Sequence, residues 1–254
     1  MNNSLALFIR KARVALTPRS FELKTRFDNG AIVAGPNKRG WGGRGAYVFR
    51  DEIEPELRLM AAVVPEHGVV IDVGANVGVY TYSAAIRVGK RGTVVAVEPF
   101  PQVYAQLYRN MQYNAENSST VRLRCFGVSD HTGQRMLWLN EGCPHAFSLT
   151  RNGEASGISV FVVQLDDLVR WEGIDRLDYL KVDAEGEEGR ILIGGLSSLR
   201  RFRPIIQLED VARQLRPELD SYTRMYKSGR NVVFFPKENV SAIEWACESG
   251  WKPV

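Results

Sequence analysis

The sequence predicts an α/β fold organised on a doubly wound sheet of mostly parallel strands, and three observations predict it. Short apolar runs, VVIDV at 69–73, GTVVAV at 92–97 and VRLRCF at 121–126, recur at a spacing too wide for hairpins. Stretches with apolar residues at helical spacing, 77–88 and 102–114, fill the gaps between them. Glycines or acids stand at the strand-to-helix junctions, as in βα units whose ligands lie at the carboxyl ends of the strands.

The elements follow in chain order. Residues 4–16 carry Leu5, Leu7, Phe8, Val14 and Leu16 with Arg10, Lys11 and Arg13 between, a basic amphipathic helix ended by Pro18. It is read as packed on the domain edge, with a membrane-surface or partner-binding role as the alternative. Residues 21–33 read as a hairpin turning at Asp28-Asn29-Gly30. The glycine-rich stretch 35–45, GPNKRGWGGRG, lacks the G-K-[ST] ending of a phosphate loop and is expected to be a mobile lid over an entrance. Residues 51–64 have acids in the first turn, Pro55 and an apolar face, a helix leading into the central strand. Residues 1–50 thus form an N-terminal helical and hairpin appendage, and 51–254 the main domain.

After the third strand the alternation breaks. Residues 131–161 are read as a β insertion on the ligand side, with a hairpin at 134–140 and a strand at 158–163. A short helix at 165–171, a core strand at 177–183, a helix at 187–199 interrupted near Gly194-Gly195, and a strand at 204–208 resume the pattern. Beyond Val211 the pattern weakens, leaving a strand at 231–235 and a helix at 240–249 stopped by Gly250.

Composition narrows the class. The 254 residues, 44% hydrophobic, suffice for one good-sized core. Lys and Arg total 33 against 29 Asp and Glu, and they form no long runs, so a nucleic-acid groove is not favoured. Three cysteines without a C-x-x-C indicate neither a disulfide framework nor a zinc site, and point to a reducing, cytoplasmic setting. No stretch reads as a secretory leader or a transmembrane span.

The stretch 69–80, VVIDVGANVGVY, is the most informative. Its glycines are spaced G-x-x-x-G, not the G-x-G-x-x-G of a pyrophosphate-binding turn, which disfavours NAD. Asp72 can take an ammonium, directly or through water, and helix N-terminal N–H groups a carboxylate. Glu98, ending the next strand, can accept hydrogen bonds from both hydroxyls of a ribose. A nucleoside joined to an amino acid, as in S-adenosylmethionine, satisfies all three groups.

IDVGANVG, VVAVEPFP, LDDL, KVDAEGEE and RPIIQLE, in this order and spacing, resemble the FkbM-type family of S-adenosylmethionine-dependent methyltransferases over residues 51–210. The resemblance implies a Rossmann-like methyltransferase sheet and O-methylation of a sugar, glycoside or macrolide-like natural product. It implies that Asp72, Gly74, Asn76 and Gly78 form the cofactor turn and that Glu98 holds the ribose. Gly127 and Val128, at the end of the third strand, would edge the adenine by position, and Asp183 would face the methyl site.

An alcohol acceptor needs a group to take its proton, or a metal to polarise it. Asp183, Glu185 and Glu209 are the candidate acids, and His145 the candidate histidine of the insertion; Glu187 and Glu188 read as ordinary helix N-terminal acids. Asp183 and Glu209 are expected to converge, either as a general base with a neighbouring acid or, with Asp210 or His145, as oxygen donors to a divalent ion such as magnesium. The metal-free base is preferred. The expected partner is a small hydroxylated molecule, and the oligomeric state stays open, a homo-oligomer included. An RNA or protein methyltransferase and a non-catalytic cofactor-binding module are the alternatives.

Overall fold

The computed structural model describes residues 3–38, 42–54, 56–139, 147–148, 156–209, 219–227 and 231–254. Its centre is an eight-stranded mixed sheet. Strands β3 (Val69–Val73), β4 (Thr93–Val97), β5 (Val121–Arg124), β10 (Tyr179–Val182) and β11 (Ile205–Glu209) run parallel, in the order β5-β4-β3-β10-β11. The sheet continues antiparallel through β13 (Asn231–Pro236), β12 (Tyr222–Tyr226) and β14 (Lys252–Pro253). The chain leaves β3 toward β4 on one side and returns to β10 on the other, so the crevice between the ends of β3 and β10 is the topological switch point where such sheets bind ligands.

Successive side chains of these strands feed two cores, as the period of two requires. Val70, Val94, Tyr179 and Val233 pack with α3 (Glu56–Val63), α4 (Val79–Val88) and Ala246 of α9 (Val240–Glu248). Ile71, Val95, Leu180, Ile206 and Val232 pack on the other face with α6 (Leu165–Trp171), α7 (Glu188–Ile193) and α8 (Leu196–Phe202). The double winding expected from the strand and helix alternation is present, and the acids at 98, 183 and 209 all stand at strand ends on one edge.

The N-terminal segment comprises α1 (Asn3–Leu16), the antiparallel pair β1 (Glu22–Arg26) and β2 (Ile32–Pro36), and α2 (Gly43–Phe49). Phe27, Ala31, Val33 and Ala46 belong to the first core, so a boundary at residue 50 does not separate two cores. Asn110 of α5 (Pro101–Tyr113) ties β2 in place: its Oδ1 accepts from Ala34 N–H at 3.1 Å, and its Nδ2 donates to Ala34 O and Val77 O. Asn110→Ala leaves Ala34 N–H buried without its acceptor, a loss of about 1–3 kcal/mol that urea denaturation should register.

Several expectations are corrected. The glycine-rich stretch is not one irregular loop, because Gly35 and Pro36 finish β2 and Gly43 to Gly45 open α2. A Cβ on Gly43 would come within 2.4 Å of the Gly35 backbone, so the two glycines allow strand and helix to touch; residues 39–41 lie outside the description. The helix at 51–64 begins only at Glu56, since Arg50–Glu52 form a 3-10 turn closed by Ile53 N–H on Arg50 O. The interruption expected near Gly194-Gly195 is present and separates two helices, α7 and α8; a Cβ on Gly194 would reach Ser129 O at 2.2 Å.

The third strand stops at Arg124, and Gly127–Ser129 (β6) joins a second sheet, ordered β6-β9-β7-β8, with β7 (Gly133–Leu139), β8 (Phe147–Ser148) and β9 (Ser156–Gln164). The expected hairpin at 134–140 is instead the single strand β7, which pairs with the distant β9. Strands β12 and β14 had no counterpart in the sequence reading. Among the described residues, no helix is long and apolar enough to cross a membrane.

Candidate functional site

A cleft lies at the switch point, where open α/β sheets bind ligands. Gly74, Asn76, Glu98, Gly127, Val128 and Asp183 line it, with Glu185 at one end and Val73, Val97 and Leu137 as apolar wall. Six of the residues proposed to touch the cofactor are therefore gathered in one place. Asp72 and Gly78 are not among the lining residues.

Asp72 is fully buried. Its Oδ2 accepts from Thr81 Oγ1 at 2.6 Å, and its Oδ1 faces the Lys181 ammonium at 3.4 Å. The place beside Asp72 that was expected for a ligand's ammonium is taken here by a lysine of its own chain. Gly78 caps α4 with φ 95, and a Cβ there would strike the Tyr82 ring at 2.4 Å. Gly74, at φ 76, has the Asp183 carbonyl 1.9 Å from where its Cβ would stand. The glycines thus serve close packing of the chain on itself. This replaces the idea that bare backbone is kept there for a ligand.

N–H groups of the turn ahead of α4 are committed within the chain. Gly74 and Ala75 both donate to Val97 O at 3.0 Å. Asn76 N–H and Phe100 N–H donate to the two Glu98 carboxylate oxygens, each at 3.0 Å. Burial pushes the Glu98 carboxyl up to about 7, against the pull of those two N–H donors and of Lys181; the buried Asp72 adds to the rise. A carboxylate at this depth, edged into an open cleft, can exchange solvent for paired hydroxyl donors.

Lys181, missed in the sequence, organises the site. It sits in β10 in register with Asp72 on one side and Gln207 on the other, a polar row across three buried strands. Its Nζ donates to Gly74 O at 2.9 Å and lies 3.6 Å from Asp183 Oδ2. Burial alone would lower its pKa, but Asp72, Asp183 and Glu54 outweigh it and the ammonium is held more firmly than in water. The signal was a lone lysine inside the apolar strand LKVD.

Asp183, beside that cation, meets two further acids. One oxygen each from Asp183, Glu185 and Glu209 lies within 4.8 Å of the others. Such a trio offers three oxygen donors to a hard ion such as magnesium, while the Lys181 ammonium already supplies positive charge beside Asp183. Glu54, also missed, accepts from Asn231 Nδ2 at 3.3 Å. Burial pushes Glu54 up to about 7; Lys181 opposes the rise and Asp183 adds to it. It had looked like one more acid in a helix's first turn.

Glu185 stands on a strained turn. Its φ is 50 and that of Gly186 is 103, a left-handed pair in which a side chain at 185 costs of order 1 kcal/mol. Glu188 fixes the turn by accepting from Ala184 N–H and Gly186 N–H. Glu187 is buried against Arg135 and Ser129. Both are structural acids, while Asp183 and Glu185 face the cleft. His145 and Asp210 lie outside the described residues.

The comparisons with known proteins agree in kind. The model of the methyltransferase FkbM domain matches residues 72–227. The chain is 28% identical over 163 residues to the methyltransferase sdnD of Sordaria araneosa, covering 52% of this chain and 62% of that protein. It is 26% identical over 151 residues to the hexuronic acid methyltransferase AglP of Haloferax volcanii, covering 59% of each. The chain therefore spans about three fifths of the length of these curated relatives. A crystal structure of a methyltransferase FkbM from Methylobacillus flagellatus KT aligns with a TM-score of 0.46 at 14% identity, covering 78% of this chain and 56% of that one.

Proposed function

The chain belongs to the FkbM methyltransferase domain family, and on that premise we propose that it is an S-adenosylmethionine-dependent O-methyltransferase acting on a small hydroxylated molecule. The observation that carries the reading is the meeting of two clefts. The switch-point cleft shares Asn76 and Glu185 with a second, wider one, so a cofactor in the first presents one end to an acceptor in the second.

Bound in the first cleft, S-adenosylmethionine supplies an electrophilic methyl group on a sulfonium. Glu98 would accept hydrogen bonds from the ribose hydroxyls, and Gly127 and Val128 would hold the adenine. Asp183, part exposed and facing the cleft, takes over the ammonium role first assigned to Asp72. Glu185, the acid common to both clefts, receives the proton of the acceptor hydroxyl at its carboxylate. The fixed turn beneath Glu185 and the two adjoining walls orient the acceptor, and orientation of this kind is worth up to about 7–11 kcal/mol of barrier in favourable cases. Lys181 supplies the positive charge among the acids, so the proposed chemistry uses no metal.

Methyl transfer from labelled S-adenosylmethionine, measured over a panel of glycosides, uronic acids, macrolides and RNA, tests the reading. Turnover of hydroxylated small molecules, undiminished by exhaustive chelation, is expected. Methylation of RNA alone would move the protein to another acceptor class, and activity lost to chelator and restored by magnesium would assign the acid trio to a metal.

A pH dependence follows from Glu98. The ionised carboxylate is the form that accepts both ribose hydroxyls, so ligand affinity grows as pH rises through the pKa near 7 and levels off above it. Affinity for S-adenosylhomocysteine should increase about tenfold from pH 6 to pH 8. Lys181 and Asp72 are the charged groups that influence Glu98, Lys181 favouring its ionised form and Asp72 opposing it. Glu98→Gln should flatten the profile; a steep profile retained in that variant would transfer the effect to another group, Glu54 first.

A further inference from the structure

The second cleft has an electrostatic character of its own. It lies open between α1, α2 and the cofactor turn. Val14, Val48 and Ile53 form its apolar floor, and Lys11 and Arg44 bring two cations to it. Neither Lys11 nor Arg44 has a hydrogen-bond or ion-pair partner among the described residues, whereas most arginines near the clefts are committed. Arg10, for example, donates to Val48 O at 2.8 Å, and Arg135 pairs with Glu187.

The wall that carries the cations is firmly built. The buried Asn37 side chain donates to Val14 O and Thr17 O at 2.9 and 2.7 Å, holding the end of α1. Val14, Leu23 and Val48 make a small core joining α1 to α2. Gly42 lacks a Cβ where one would lie 2.4 Å from Asn76 Oδ1, which lets the start of α2 rest on the cofactor turn. The segments that carry the cations are therefore held beside Glu185, the one acid that lines this cleft among the described residues.

We infer that this cleft binds an acceptor carrying an anionic group, a carboxylate or a phosphate, held by Lys11 and Arg44 with its apolar body on the floor and its hydroxyl toward Glu185. The inference rests on the methyltransferase reading for the word acceptor; the recognition of an anion rests on the cleft alone. An Arg fork and a Lys ammonium with no internal partner gain charge-assisted hydrogen bonds to such a group, while a neutral molecule would leave both cations facing solvent. Separating the anion from the reacting hydroxyl keeps negative charge away from the acid trio, where it would be repelled.

The test uses three matched probes on protein saturated with S-adenosylhomocysteine: 1-naphthyl β-D-glucuronide, 1-naphthyl phosphate and the neutral 1-naphthyl β-D-glucoside, each titrated by calorimetry or saturation-transfer NMR. At least one anion should bind tenfold or more tighter than the glucoside, and which of the two does so identifies carboxylate or phosphate as the preferred group. The double variant Lys11→Ala/Arg44→Ala should reduce the anion's affinity to the glucoside's level and leave the glucoside unchanged. Equal affinity for anion and glucoside, no binding of either anion at millimolar concentration, or a preference that survives the double variant would each overturn the inference. Binding of S-adenosylhomocysteine in the same samples separates the two readings. Its absence, with the anion preference intact and dependent on Lys11 and Arg44, would sink the cofactor assignment and leave an anion site; its presence with no anion preference would do the reverse.

Discussion

Lys181→Met should destabilise the protein by about 3–5 kcal/mol, because it leaves a fully buried carboxylate at Asp72 with no opposing charge. Methionine keeps most of the stem's packing, so the loss isolates the ammonium. Thr81 would still donate to Asp72, but one hydroxyl does not offset a charge withdrawn from water. Gly74 O would lose its donor as well, loosening the turn against Asp183. The measurement is the urea midpoint with its slope. Lys181→Met/Asp72→Asn should regain a large part of the loss, since removing both charges leaves neither unpaired. A single variant within about 1 kcal/mol of the parent would mean that Asp72 finds its balance elsewhere.

Glu185→Gln should slow methyl transfer by about 10²–10⁴-fold while leaving S-adenosylhomocysteine binding and stability near those of the parent. Glutamine is close in shape to glutamate and tolerates the same φ of 50 equally poorly, so the turn held by Glu188 is preserved. Asp183→Asn should act differently, weakening the ligand as well as the rate, because Asp183 faces the first cleft and pairs with Lys181. The contrast separates two roles that the sequence had combined in Asp183. Full turnover in the Glu185 variant would return the proton to Asp183.

What could be read in advance divides along a physical line. The strand Val69–Val73, the turn after it and α4 were legible because their cues are local: a β-branched run, glycines at left-handed positions and a helical apolar pattern. Glu98, Asp183 and Glu209 were legible because parallel strands all present their carboxyl ends at one edge. Strands β7, β12 and β14 were not, since each is stabilised by partners far away in sequence or by an edge whose pairing no local pattern announces.

Lys181 and Glu54 stayed hidden for the same reason. Lys181 matters through its register with Asp72, and Glu54 through burial beside Asn231, neither of which a linear pattern contains. Asp72 and Gly74 were placed at the turn by local cues, which do not announce their partners within the chain. The sequence shows that an acid and a glycine are needed at the turn, not that the partners are an internal lysine and the Asp183 carbonyl.

The central claim is that the switch-point cleft holds a nucleoside through Glu98. Titration calorimetry with S-adenosylhomocysteine at pH 8, on the parent and on Glu98→Ala, tests it most directly. One-to-one binding is expected in the parent, weakened about 10- to 150-fold in the variant by the loss of charge-assisted hydrogen bonds worth about 1.5–3 kcal/mol. No heat from S-adenosylhomocysteine alongside tight binding of NAD, or an affinity indifferent to Glu98, would contradict it.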